Sequence, residues 1–148
     1  MTLIQTHMKT IAIFISLFLA QQLQAQTNNT TTITVTVKNL DSNEGAVLFG
    51  LYTEITFMKA KPKFNAKSKI VNGTAIITFE GITPGTYAIS CFHDKNGNGQ
   101  MDFEPTGKPI ESYGVSNNKM SPNGQPQWND AKFEVTGSPL KFNIGLIR

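Results

Sequence analysis

The chain has little of what most catalytic and metal centres are made from. Its 148 residues include one cysteine, Cys91, and two histidines, His7 and His93. A lone cysteine excludes an intramolecular disulfide. With His7 in the N-terminal leader, the histidines also exclude a zinc site of the His₂ or His₃ kind. Long apolar runs are missing too. The longest, Ile11 to Ala20, is half of the roughly 20 residues that a membrane-spanning helix needs. Charge of one sign is scarce. Lys+Arg is 13 against 10 Asp+Glu, and removing residues 1–25 takes away only Lys9, leaving 12 − 10 = +2. That is too small an excess to imply a nucleic-acid partner. No segment carries the period of a long helix.

The leader has the layout of a secretory signal: basic Lys9, the short apolar run, then Ala25-Gln26 as the cut. Leu23 fits the third position before the cut less well than Ala. No cysteine sits at the boundary to take a lipid. The sequence therefore predicts a signal peptide over 1–25, a polar disordered leader over 26–30, and one exported domain over 31–148. The domain would lie in the periplasm or be secreted, with no membrane-spanning segment once the signal is removed.

Within that domain "TTITVTVKNL" alternates Ile33, Val35 and Val37 with threonines, the period of a half-buried strand. "GAVLFGLYT" is a second strand, reached through the turn residues of "LDSNEG". "KSKIVNGTAIITFEGI" reads as two strands about Asn72-Gly73, the dipeptide best suited to a two-residue hairpin turn. "TPGT" turns the chain into "YAISCFHD", and "AKFEVTG" and "PLKFNIGLI" close the domain. Asn129 to Lys132 allows one helical turn. Seven short strands with Gly/Pro turns predict an all-β, seven-stranded antiparallel β-sandwich with one long loop excursion. Cys91, set in "YAISCF", is expected to be a buried small hydrophobe. The lysine-rich run from Lys59 to Lys69 is expected to be a solvated loop or an edge strand kept charged against aggregation, with contact to an anionic envelope surface as the other option.

The excursion between Asp94 and Ala131 exceeds the roughly 12–15 residues usual for a structureless loop. It carries Met101, Phe103, Ile110, Tyr113, Val115 and Trp128, so it should be folded and pinned by its aromatics. Its head, "DKNGNGQMDFEP", places Asp94, Asn96, Asn98, Gly99, Gln100 and Asp102 where an EF-hand-type calcium loop has its first, third and fifth side-chain oxygens, its turn glycine, its inward carbonyl and its ninth-position oxygen. Alternate residues of a tight loop aim hard oxygens at a common centre, as Ca²⁺ requires. Position twelve departs from the pattern, being Pro105 where a bidentate glutamate belongs. Glu104, one place early, or Glu111 would have to close the shell, so Ca²⁺ would be held weakly, at about 10⁻⁴–10⁻³ M. Two readings stay open, a calcium loop and a metal-free run of Asx turns, since Asp, Asn and Gly make such turns unaided.

His93 is expected to end its strand bonded to a loop carbonyl. A Cys91–His93 nucleophile pair fails because apolar surroundings raise a thiol pKa, and neither Ser112 nor Ser116 lies in a nucleophile-elbow pattern. Tyr113 and Trp128 are candidates for stacking a ligand, or anchors of their own loop. Together, "FHDKNGNGQMD", "GKPIESYGVSNN" and "PQWNDAKFEV" resemble the bacterial domain-of-unknown-function family 2141 (DUF2141). His93, Asp94, Asn96, Asn98, Gly99 and Asp102 carry the first block; Gly107, Pro109, Glu111, Tyr113, Gly114, Ser116 and Asn117 carry the second. Trp128 stands where that pattern has Phe. The resemblance implies a small exported β-sandwich and assigns it no reaction. "GITPGTYAIS" also looks like the strand entry of prealbumin-like sandwiches, and Ig-like ones share the architecture. The functional expectation is a non-enzymatic binding or accessory module of the envelope, presenting Glu111, Tyr113 and Trp128 to a glycan or protein. Alternatives are a purely structural envelope protein and a weak metal-assisted hydrolase using His93 and Asp94.

Overall fold

The computed structural model describes residues 29–119 and 124–148; the signal peptide expected over 1–25, and the leader as far as residue 28, lie outside them. What is described is nearly all β. The strands are β1 (Thr31–Val37), β2 (Ala46–Tyr52), β3 (Phe64–Ser68), β4 (Ala75–Ile82), β5 (Gly85–Asp94), β6 (Tyr113–Val115), β7 (Phe133–Val135) and β8 (Leu140–Ile144). Among the described residues helix is confined to a 3₁₀ turn at Ser116–Asn118 and one four-residue turn, α1 (Trp128–Ala131). No helix among the described residues is long and apolar enough to cross a membrane.

Two sheets form. The first has the order β4-β1-β8 and the second β3-β2-β5-β6, with β7 also pairing β5. β1 follows its alternation: Thr31, Ile33, Val35 and Val37 are buried and the intervening threonines half-buried. Its inward residues join Val47, Phe49, Leu51, Ile89 and Cys91 of the second sheet in a single core cluster, each large side chain contributing about 1.5–3 kcal/mol. A smaller cluster of Phe57, Ala88, Val115 and Ala131, flanked by Tyr52 and Trp128, lies on the other face of the second sheet, because neighbours along a strand point to opposite sides.

The seven-stranded, wholly antiparallel expectation needs two corrections. Among the described residues there are eight strands, the added one being β6, inside the excursion. Its three residues have no pattern of their own and are held from both sides. Phe92 pairs with Tyr113 across β5–β6, and Tyr113 and Ile147 exchange N–H···O bonds of 2.9 and 2.8 Å. Gly114 permits this approach, since a Cβ there would lie 2.5 Å from the Gly145 carbonyl oxygen. The second correction is that β8 runs parallel to β1, Val35 opposite Phe142. The chain leaves β7 in the second sheet, turns at Gly137 (φ 104°) and reaches the first sheet already pointing along β1.

The Asn72-Gly73 turn forms as expected. Both residues have positive φ, 50° and 67°, and Val71 and Thr74 exchange N–H···O bonds of 2.9 and 3.0 Å. The flanking strands do not continue as a hairpin, however. β3 ends at Ser68 and pairs with β2, whereas β4 pairs with β1. The turn is thus a crossing between sheets. It is pinned by the β1–β2 loop, through Leu40 N–H to Gly73 O at 3.0 Å and Gly73 N–H to Asn43 Oδ1 at 3.0 Å.

Candidate functional site

β5 delivers Asp94 to the end of the second sheet. The close approach of Gly45 (φ 67°), where a Cβ would strike the Asp94 carbonyl, packs the start of β2 against it. The Asp94 side chain is fully buried. Its Oδ2 accepts the Gly99 N–H at 3.0 Å, while Oδ1 has no hydrogen-bond partner among the described residues. Beyond it the chain winds as overlapping Asx turns. Asn96 Oδ1 accepts the Asn98 N–H at 3.0 Å and Asn98 Oδ1 accepts the Gln100 N–H at 2.9 Å. The amide groups of Asn96 and Asn98 both donate to the Asp102 carboxylate, at 2.7 Å and at 3.0 and 3.1 Å. Gly97 and Gly99 hold φ values of 76° and 78°, which the winding requires.

The side chains of Asn96, Asn98 and Asp102 are therefore brought together, Asp94 is tied to the same loop through the Gly99 N–H, and Gln100 joins through its backbone N–H. Glu104 sits instead at an exposed hairpin turn, with its N–H on Lys108 O at 2.8 Å and its Oε2 accepting from Thr106 Oγ1 at 3.3 Å. Glu111 is the buried acid at the loop, accepting the Lys95 N–H on Oε1 at 3.0 Å and the Asp102 N–H on Oε2 at 3.4 Å. Among the described residues no three His, Cys, Asp or Glu side chains gather into a metal-holding group. A cation in this loop would rest on Asn and backbone oxygens beside its carboxylates, a hard-oxygen set suited to Ca²⁺ rather than to zinc.

His93 is buried, and its Nε2 lies 2.8 Å from the Glu44 carbonyl oxygen. A carbonyl only accepts, so Nε2 carries the proton. Nδ1 faces Asp41 Oδ1 at 3.6 Å. A cleft of about 320 Å³ opens here, lined by Asp41, Glu44, His93, Lys95, Asp102, Glu111 and Arg148 among others. The candidate ligand residues are spread over different contacts. Glu111 belongs to the loop. Tyr113 pairs with Phe92 and donates its hydroxyl to Gly124 O at 2.9 Å. Trp128 packs on Phe57 with ring centroids 5.8 Å apart. Cys91 is buried in the core, and burial pushes its thiol up to about 12; no nucleophile is available there.

A second cleft, of about 360 Å³, lies on the outward face of the second sheet, and the sequence reading did not single it out. Cross-strand register sets its rows. Lys67, Leu48, Phe92 and Tyr113 line up across four strands, and Asn65, Gly50, Ser90 and Val115 form the next row. Gly50 leaves a gap in that second row. Tyr52 folds its ring over the gap, where a Cβ on Gly50 would lie 2.5 Å from the ring. The available signal was the alternation of β2, which puts Leu48, Gly50 and Tyr52 on one face.

Comparison with known proteins gives one family match, over residues 35–143, and no match among curated proteins or solved structures. The matched span runs from the middle of β1 to the end of β8 and contains the whole Asp/Asn loop, β6 and α1. On that match, covering well over half of its length, the chain belongs to the bacterial family described as uncharacterized protein conserved in bacteria, DUF2141.

Proposed function

We propose that the chain is an exported, non-enzymatic binding or accessory module of the cell envelope, built as a β-sandwich of the Ig-like or prealbumin-like kind, in which a weakly held Ca²⁺ stiffens the loop from Asp94 to Glu111. One observation carries this reading: Asp94 is fully buried and its Oδ1 has no hydrogen-bond partner among the described residues. A buried carboxylate oxygen without a donor is costly, and a cation coordinated by the loop would remove the cost. Asp94, Asn96, Asn98 and Asp102 would supply side-chain oxygens and Gln100 its carbonyl. Glu111 takes the place of Glu104 as the acid held against the loop. The ion would order a segment that presents the neighbouring sheet face to an envelope glycan or protein.

Thermal unfolding of the purified chain in excess EDTA and then in millimolar Ca²⁺ tests this. With Kd at about 10⁻⁴–10⁻³ M, a free concentration of about 10 mM is ten to one hundred times Kd, so the ion adds about 1.4–2.7 kcal/mol of stability, a rise of several degrees in Tm that Mg²⁺ does not reproduce. An unchanged Tm leaves a metal-free loop of Asx turns and removes the ion from this reading.

The cleft around His93 favours a second reading, a weak hydrolase using His93 and Asp94. It has less support, because the His93 Nε2 is spent on the Glu44 carbonyl and Asp94 is enclosed by its own loop. Hydrolysis of acyl or phosphoryl esters that vanishes in His93→Gln is the outcome that would move the assignment to this reading.

A further inference from the structure

We propose that the cleft on the outward face of the second sheet binds an acidic glycan, a chain of sugar rings bearing carboxylates. This names a ligand class for the binding module proposed above and does not depend on the metal. The floor of the cleft is the Tyr52 ring folded over Gly50 beside Ser90, and Phe92 stands half-buried next to it. Most sheet faces present branched side chains in such rows. Here the missing Cβ at position 50 makes room for the Tyr52 ring, so the face presents aromatic rings against which the C–H face of a sugar can stack. Ser90 and Asn65 add a hydroxyl and an amide, able both to donate and to accept.

The sign of the ligand follows from charge. The edge strand β3 and the segment entering it border the cleft with Lys61 and Lys67, both exposed. They belong to a group of five lysines, Lys59, Lys61, Lys63, Lys67 and Lys69, and no acidic residue occurs between Glu54 and Glu80. Among the described residues no acid lines the cleft. An anionic chain entering over β3 meets an uncompensated positive edge and then an aromatic floor. A recessed trough that opens across the strands suits a linear polymer better than the flat array of phosphates at a membrane surface. Gly99 of the Asp/Asn loop also borders the cleft, so ordering that loop would fix one rim.

The test is isothermal titration of the full chain with a tetramer of galacturonic acid, in EDTA so that the outcome is independent of calcium. The expected result is saturable binding that weakens with added salt, a loss of at least tenfold in the double variant Lys61→Gln/Lys67→Gln, and no detectable binding of the neutral galactose tetramer. The two lysines are exposed, so the variant should keep the Tm of the parent. Absence of tetramer binding overturns the proposal, as does affinity unchanged in the double variant. If anionic vesicles of phosphatidylcholine and phosphatidylglycerol bind in its place and lose binding in the same variant, the occupant is a lipid surface and the glycan is rejected. Tetramer binding without a calcium-dependent Tm would reject the metal alone, and the reverse pattern the glycan alone.

Discussion

Glu111 caps Lys95: its Oε1 accepts the Lys95 N–H at 3.0 Å across sixteen residues of chain, while its Oε2 faces the Asp102 N–H at 3.4 Å. One buried carboxylate thus closes the neck of the Asp/Asn loop, a role normally filled by backbone pairing. Glu111→Ala leaves two backbone donors short of a partner. Each such loss costs about 1–3 kcal/mol where water cannot replace the acceptor. A lowered denaturation midpoint with an unchanged denaturant slope is expected, and equilibrium unfolding in urea measures both. A midpoint equal to that of the parent would mean that water takes over both donors.

Asp94→Asn separates the loop's two possible states. An asparagine can still accept the Gly99 N–H, and it replaces the partnerless Oδ1 by an uncharged amide. In EDTA the variant is expected to be at least as stable as the parent, since an uncompensated buried charge has been removed. In millimolar Ca²⁺ the order reverses, because the parent gains stability and the variant does not. Paired thermal scans of the two proteins in each condition decide it. A variant less stable than the parent in EDTA would show that the carboxylate is already compensated without any ion.

These two acids also mark how far the sequence could be read. The winding of this loop was legible because Asp, Asn and Gly at this spacing make tight turns: Asn96 and Asn98 reach the Asp102 carboxylate, and Asp94 bonds the Gly99 N–H. Which acid closes the neck was not legible. Glu104 is one residue from the expected place, but the short hairpin from Glu104 to Lys108 carries it out to solvent, and that hairpin depends on the Phe103–Pro109 bridge. The fold divides in the same way. β1 and β5 announce themselves by alternation. β6 and the parallel pairing of β8 are set by partners far along the chain, Phe92 and Ile147 in one case and Val35 in the other, and local patterns do not record such partners. β3, Phe64–Ser68, begins ahead of the strand read from "KSKI" and lies in the lysine-rich run for which a loop and an edge strand were both open; an edge strand need bury only one side, so its Asn and Lys residues did not decide between the two.

Ser116 holds the excursion to the sheet. Its buried Oγ accepts the Ile89 N–H at 3.0 Å and donates to the Ala131 carbonyl, joining β5 to α1 just beyond β6. Ser116→Ala strands a donor and an acceptor in the interior, at a cost of about 1–3 kcal/mol. Because the bond links two elements, faster amide exchange should concentrate at Ile89 and at the end of α1, with the first sheet unaffected. Hydrogen exchange read by mass spectrometry locates the change. Uniform loosening would instead make Ser116 an ordinary core residue.

Cys91 gives the fold a dependence on alkaline pH. Burial raises its thiol to about 12 in the folded chain, whereas an unfolded cysteine ionises near 8.5. The folded state keeps its proton where the unfolded state has lost it. The contribution to stability is therefore complete below about pH 8.5 and declines as pH rises toward 12, by at most about 1.4 kcal/mol per unit. Tyr52, also raised by burial, adds a slope of the same sign above its unfolded value near 10. Cys91→Ala removes the thiol and only a small part of the core volume. Stability plotted against pH should fall less steeply for the variant between about 8.5 and 10, with the parent's further decline above 10 retained because Tyr52 remains. Urea titrations at half-unit intervals measure the two curves, and parallel curves throughout would mean that the Cys91 thiol ionises as readily in the folded chain as in the unfolded one.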